Sequence, residues 1–329
     1  MLLDLPNISV TTRLEQETNI RIWWTLCMID VWSSNGVMLP RSIIPRDNVP
    51  FPREETVFLD MRRENYELPS TTLMQESYAS LLAQVVKLNA VLVEIGELNR
   101  AAAASQSFNS SLNASVDALT GKLEGWYANL PTQLKDTSEN LQHYASLGLG
   151  HFFVSVYLGY YNYGQLLYYQ YLHEASFDES THAGYYADKC KSHATALCEI
   201  LFRANETAGC QVYYTMVGHV LVIASTVQLH ILLFSSDDEQ CRAARARLER
   251  NFEILTKLQT FWPTLDVCFT RLREFHKACQ KSRESSFRMD LWMLQFLFEF
   301  ANPVGERTDE LSELYPWNMA ELGFNPYAL

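Results

Sequence analysis

Arg21-Ile22-Trp23-Trp24-Thr25-Leu26-Cys27-Met28-Ile29-Asp30 is the stretch on which the fold turns. Ile20, Trp23, Trp24, Cys27, Val31 and Ser34 recur at intervals of three and four, the spacing that lines one face of an α-helix. A stripe carrying two indoles needs a partner surface, so Trp23 and Trp24 are read as core residues. Trp23, Leu26 and Asp30 stand nearly above one another, which brings a carboxylate to the border of the stripe, where an unpaired charge is costly. Arg41 or Arg46, in the next segment, is placed to pair with it. That segment holds Ser33-Ser34-Asn35-Gly36, Pro40-Arg41 and Val49-Pro50-Phe51-Pro52. Residues 36–70 are rich in proline and turn formers, and predict an irregular wrap over the surface anchored by Val57-Phe58-Leu59.

Helical periodicity continues outward from there. Met74, Tyr78, Leu81, Leu82, Val85, Leu88, Leu92 and Ile95 predict a helix of about six turns. Gly96 and the Ala101–Ala104 run mark either a loosened connection or the continuation of that helix. Leu112 to Leu130 form an amphipathic pattern stopped by Pro131. Residues 151–173 are aromatic on every side, with tyrosines at 157, 160, 161, 163, 168, 169 and 171, and predict one central helix whose phenols reach its rim. Such a helix serves as core; lining an apolar ligand cavity is the other reading. Another helix runs over Tyr186–Leu201, and the apolar segment 217–234, which carries His219, Gln228 and His230, reads as a buried helix and not as a membrane span. Cys241, Ala244, Leu248, Phe252, Leu255 and Leu258 draw the stripe of the next helix, and Phe261 to Cys279 that of another. No alternating strand pattern and no fixed-period repeat is visible. The fold class is therefore all-α and multi-helix, with an irregular Pro-rich wrap and an acidic C-terminal tail.

Composition narrows the function. A chain of 329 residues, 48% hydrophobic with 13 glycines, suits a helix-rich globule with a substantial core. A net charge of −12 works against unaided nucleic-acid binding, because phosphate contacts supply most non-specific affinity. Arg242, Arg245, Arg247 and Arg250 alternate with acids and predict a solvated face. The seven cysteines contain no Cys-x-x-Cys pair and suit reduced thiols in a cytosolic or nuclear setting; Cys190 and Cys198 read as small core residues. Met1-Leu2-Leu3-Asp4 does not open a secretory signal, so the sequons at Asn7, Asn109, Asn113 and Asn205 are expected to be unused.

The Trp-Trp helix and the proline-rich segment after it resemble the regulatory core of fungal zinc-cluster transcription factors. In that family a basic residue precedes a Trp-Trp pair, an Asp stands about two turns later, and a Gly-x-Pro-like turn leads into a proline-closed segment. Arg21, Trp23, Trp24, Asp30, Gly36, Pro40 and Pro52 take those places here. The turn departs from the usual Gly-Arg-Pro, since Val37-Met38-Leu39 separate Gly36 from Pro40 and the arginine comes after it as Arg41. The order of later elements is also similar, so the resemblance covers residues 13–300. It implies a regulatory domain over 1–301, action in the nucleus, and control of RNA polymerase II transcription of catabolic or secondary-metabolite genes. It also implies that DNA is reached only through a zinc-cluster segment, whose six closely spaced cysteines this chain does not contain. Transcription machinery or coactivators, a homodimeric partner and a small-molecule inducer are the implied partners. The signature residues are structural, with no catalytic role, metal or cofactor implied in this chain. In the family this helix lies well inside the domain, whereas here it begins within some twenty residues of Met1. The chain is thus expected to be the N-terminally incomplete, C-terminal portion of a longer regulator, with the Trp23, Trp24 and Cys27 stripe short of cover.

Residues 302–329 differ from the rest, with acids interleaved among Leu311, Leu314, Tyr315, Trp317 and Met319. That composition fits activation segments that fold on coactivators, and equally a terminus docked on the globule. The enzymatic alternative for an all-helical chain, an isoprenoid-type synthase, needs facing carboxylate clusters for magnesium and diphosphate. Asp237-Asp238-Glu239 is the one such group and reads as a helix cap. The third alternative is a helical partner protein that works without DNA. The histidines form no metal-ligand motif, and glycine-rich phosphate loops are missing.

Overall fold

The computed structural model describes residues 12–37, 39–46, 48–61, 79–104, 110–174, 181–283, 285–300 and 302–307. Among them there is no β-strand, as the periodicity requires. Helix α1 (Arg13–Gly36) opens on a capping box, in which the Thr12 hydroxyl accepts from the Glu15 amide and the Glu15 carboxylate accepts from the Thr12 amide. A strap then crosses α1 and ends in the short helix α2 (Glu55–Asp60). Helix α3 (Leu81–Ala104) runs through the alanines, which favour helix over any loosened connection. Pro131 ends α4 (Ser110–Ala128), and α5 (Ser138–Ser146) starts from a Thr137 cap.

Helix α6 (Gly150–Tyr168) is the centre of the molecule. It packs most extensively on α8 (Thr181–Glu206), and also on α3, α4, α5 and α9 (Thr215–Phe234). The aromatic run expected to be one helix is broken at Tyr169-Gln170, after which α7 (Tyr171–Glu174) makes a further turn. Nearly every residue around this break is apolar or aromatic, so periodicity carries no sign of it. Helix α9 is long and apolar enough to cross a membrane, yet 78% of its apolar window is buried in the fold. Its histidines are held by carbonyl oxygens, His219 Nε2 at 3.0 Å from Leu297 and His230 Nε2 at 2.9 Å from Leu172. Helices α10 (Asp238–Phe261), α11 (Asp266–Lys281) and α12 (Leu291–Phe298) close the body.

Several phenols expected at the rim turn inward instead. The Tyr163 hydroxyl donates to Asn89 Oδ1 at 2.7 Å, and Tyr169 shares a hydrogen bond with Thr226 at 2.8 Å. Burial pushes both phenols well above the ordinary tyrosine range, so they stay protonated donors. The rings stack on neighbours, Tyr144 on Phe153 and Tyr168 on Tyr186, and fill the space between helices. Each large side chain buried in this way contributes about 1.5–3 kcal/mol.

The stripe of α10 is displaced from expectation. Ala244, Leu255 and Leu258 are buried, but Phe252 is 43% exposed and Asn251 points inward, its amide donating to Ser225 at 3.1 Å and to the Cys198 sulfur at 3.4 Å. A buried polar contact across three helices therefore outweighs the hydrophobicity of the neighbouring position. Phe261 and Trp262, expected to be buried, are likewise exposed. The arginines of α10 do face solvent, where Arg247 pairs with Glu199 and Arg250 with Glu206 of α8.

Candidate functional site

The Trp-Trp helix and its strap form one polar clamp around an apolar seam. Trp23, Trp24 and Cys27 meet Val49 and Ile43 of the strap and Val86 of α3, which leaves Trp23 1% exposed. The stripe is thus covered, contrary to expectation, because the strap folds back over the face that earlier helices were expected to fill. Trp24 Nε1 donates to the Pro50 carbonyl at 2.8 Å, and its ring stacks on Phe51 at 5.4 Å. Among its described residues the strap has no regular hydrogen-bond ladder, so its amides need acceptors from side chains.

Asp30 supplies two of these, accepting from the amides of Ser42 at 2.9 Å and Ile43 at 3.1 Å. Arg41 Nε lies 3.4 Å from the same carboxylate, which settles the choice between the two arginines. Arg46 instead lies over the Trp23 ring at 5.3 Å. Glu17 accepts from the Arg53 amide at 2.9 Å and pairs with Arg21 Nε at 2.9 Å. Arg21 further donates to the Arg53 carbonyl at 2.5 Å, reaches Glu55 at 3.6 Å and covers Phe58 at 4.2 Å. Glu55 caps α3 from a distance, accepting from the amides of Leu81 at 2.8 Å and Leu82 at 3.1 Å. An anion there meets the positive end of the helix dipole. Burial pushes the carboxyls of Glu17 and Glu55 above the ordinary range, against the opposing pull of the arginines and amides.

The other signature positions are simpler. Gly36 is the last residue of α1 and not a turn: a side chain there would collide with the Phe300 ring, so glycine is needed for close approach. Pro52 is buried at the end of the strap, while Pro40 is exposed. Val57-Phe58-Leu59 lie in α2, not in irregular chain, and Leu59 is exposed, whereas Glu55 and Val49 are the buried anchors. Leu311, Leu314, Tyr315, Trp317 and Met319 lie outside the described residues, as does the start of the second expected helix at Met74 and Tyr78.

A second polar feature, which sequence reading missed, lies among the C-terminal helices. Arg271 is fully buried, and its guanidinium donates to the carbonyls of Phe296, of Glu299 at 2.7 Å, of Asn302 at 3.0 Å and of Gln295 at 3.2 Å. Arg307 donates to the Ser286 carbonyl at 2.6 Å, pairs with Asp290 and covers Trp292. Trp292 Nε1 in turn donates to the Gly305 carbonyl at 2.9 Å. Residues 302–307 are thus pinned to α11 and α12.

Asp237 caps α10, accepting from the amides of Glu239 at 2.8 Å and Gln240 at 3.3 Å, which accounts for the acidic triplet. Among the described residues no group of three or more His, Cys, Asp or Glu is placed to hold a metal ion. Cys190 and Cys198 are buried, and desolvation pushes both thiols upward, so neither is a poised nucleophile. Comparison with family models, with curated proteins and with solved structures finds no match.

Proposed function

We propose that the chain is the regulatory and effector domain of a transcriptional regulator of RNA polymerase II genes, of the kind carried by fungal zinc-cluster factors. The observation that supports this reading is the clamp. Arg21, Trp23, Trp24, Asp30, Gly36 and Pro52, six of the seven residues that carry the resemblance, serve to seat one helix, one strap and the chain near Phe300, while the seventh, Pro40, is exposed. A structural signature has this form, whereas an active site would bring reactive groups to an open cleft. On this reading the protein works in the nucleus, meets DNA through a zinc-cluster segment supplied elsewhere, and engages coactivators or the transcription machinery.

The test is a fusion of the whole chain to an unrelated DNA-binding domain, with reporter transcript as the readout. Recruitment is expected to change transcript level several-fold, and Trp24→Ala, which unseats the strap, is expected to reduce that change. Output equal to that of the DNA-binding domain alone would count against the reading. So would specific duplex binding by the isolated chain at physiological salt, since its net charge is −12.

A further inference from the structure

We propose that the face formed by the end of α10, the loop before α9 and the outer side of α11 is a docking surface for the chain's own acidic, aromatic segment 308–329. Next to Tyr214, which is 46% exposed, three large rings stand exposed together at one end of this face: Tyr213 at 38%, Phe261 at 54% and Trp262 at 43%. They are fixed in place. The Tyr213 and Phe261 rings are 4.8 Å apart, and Trp262 Nε1 donates to the Tyr213 carbonyl at 2.6 Å. Preset rings of this kind lose little freedom on binding, and a contiguous exposed apolar patch marks an interaction site.

The charges beside the rings select the occupant. Lys257 lies over Tyr213 at 5.9 Å and makes no ion pair among the described residues. It also borders a shallow cleft of about 200 Å³ lined by Phe202, Asn205, Arg250, Glu253 and Ile254. The outer side of α11 carries exposed Arg273, His276, Lys277 and Lys281, of which Lys277 pairs with Glu274 and Lys281 with Glu306. Residues 308–329 supply the complement. They carry Asp309, Glu310, Glu313 and Glu321 with no basic residue, and set Tyr315, Trp317 and Phe324 among these acids.

Reach supports an occupant from within the chain. Glu306 and Arg307 are pinned beside the C-terminal end of α11, so the segment departs from there. The rings lie at the other end, since Trp262 precedes Asp266, the first residue of α11. A helix of this length spans about 24 Å. The ten residues from Arg307 to Trp317 reach about 33 Å when extended. The acids of 309–313 then pass the cations of α11, and Trp317 arrives at the rings. This docking stands independently of any role in transcription.

Photo-crosslinking in the full chain tests it. With p-benzoylphenylalanine at position 317, irradiation is expected to join that position to Tyr213, Tyr214, Phe261 or Trp262 within one chain. The triple replacement Lys257→Glu, Arg273→Glu and Lys277→Glu lies on the surface and is expected to lower the yield at least fivefold. Adding Glu310→Lys and Glu313→Lys to it should restore at least half of the loss. The proposal is overturned if the cross-links scatter no differently from those of the same probe at exposed Ile44, or form only between chains. It is equally overturned if charge reversal leaves the yield unchanged.

Discussion

The two ends of the molecule pin irregular chain by opposite means. At the N-terminal clamp the buried charges are carboxylates, and Asp30, Glu17 and Glu55 accept from the amides of Ser42, Ile43, Arg53, Leu81 and Leu82. At the C-terminal latch they are cations, with Arg271 and Arg307 donating to six carbonyls and His219 meeting a seventh. The sign depends on which backbone group is orphaned. A strap without a ladder and the start of α3 leave N–H groups over, whereas the end of α12 leaves C=O groups over. In both places much of the compensation for a buried charge comes from backbone dipoles, so removal strands several polar groups at once.

The latch is expected to be the more fragile, because Arg271 alone serves four carbonyls in full burial. Arg271→Met should cost about 3–5 kcal/mol in urea denaturation. A loss under about 1 kcal/mol would mean that water readily replaces the guanidinium, and the contrast would collapse. Asp30→Ala is expected to cost less, about 2–3 kcal/mol, since the strap can regain water for the amides of Ser42 and Ile43. Hydrogen exchange at those two amides should accelerate while the centre of α6 stays protected; uniform acceleration would show that the clamp and the core open as one.

Acidity separates the ends more finely. Burial, helped at His219 by the charge of Arg271, pushes the pKa of His219 down to about 3, and burial pushes that of His230 down to about 4. An unfolded histidine titrates near 6.5, so as pH falls below that value the unfolded chain binds protons that the folded chain refuses. The stability these residues contribute is complete above about pH 7 and has fallen by about 2 kcal/mol each at pH 5. Glu17 and Glu55 act in the other sense. Their raised values mean that their contribution is present at low pH and declines as pH rises through the folded-state value. His219→Gln should therefore flatten the loss of melting temperature between pH 7 and 5, and an unchanged slope would place the proton uptake elsewhere.

Much of this architecture was legible because large apolar residues at helical spacing have few alternatives. The stripe of α1, from Ile20 to Ser34, is buried as its spacing requires. The pairing of Asp30 with Arg41 was within reach because both lie close in sequence. Other features had no local signal. Helix α5 buries only Leu141 and Tyr144 and is otherwise polar, so its periodicity is thin. Glu55 looks like one more surface acid until α3 is seen to begin above it, and Arg271 sits in a sequence full of solvated charges. Gly36 was read as a turn residue because its real constraint, the ring of Phe300, comes from the far end of the described chain. Glu17 was the avoidable omission, since it stands four residues before Arg21 on the same helix face.

The meeting of Gly36 with Phe300 has a consequence for synthesis. The two residues are about 260 positions apart, and a ribosome adding 5–20 residues each second needs roughly 15–50 s to pass from one to the other. Through that interval the end of α1 lacks the ring that finally closes over it, and this contact can form only after Phe300 has been made. A nascent chain of this kind must wait with its first helix unsealed. Its yield in a cell then depends on chaperone supply during that wait as much as on the stability of the finished fold.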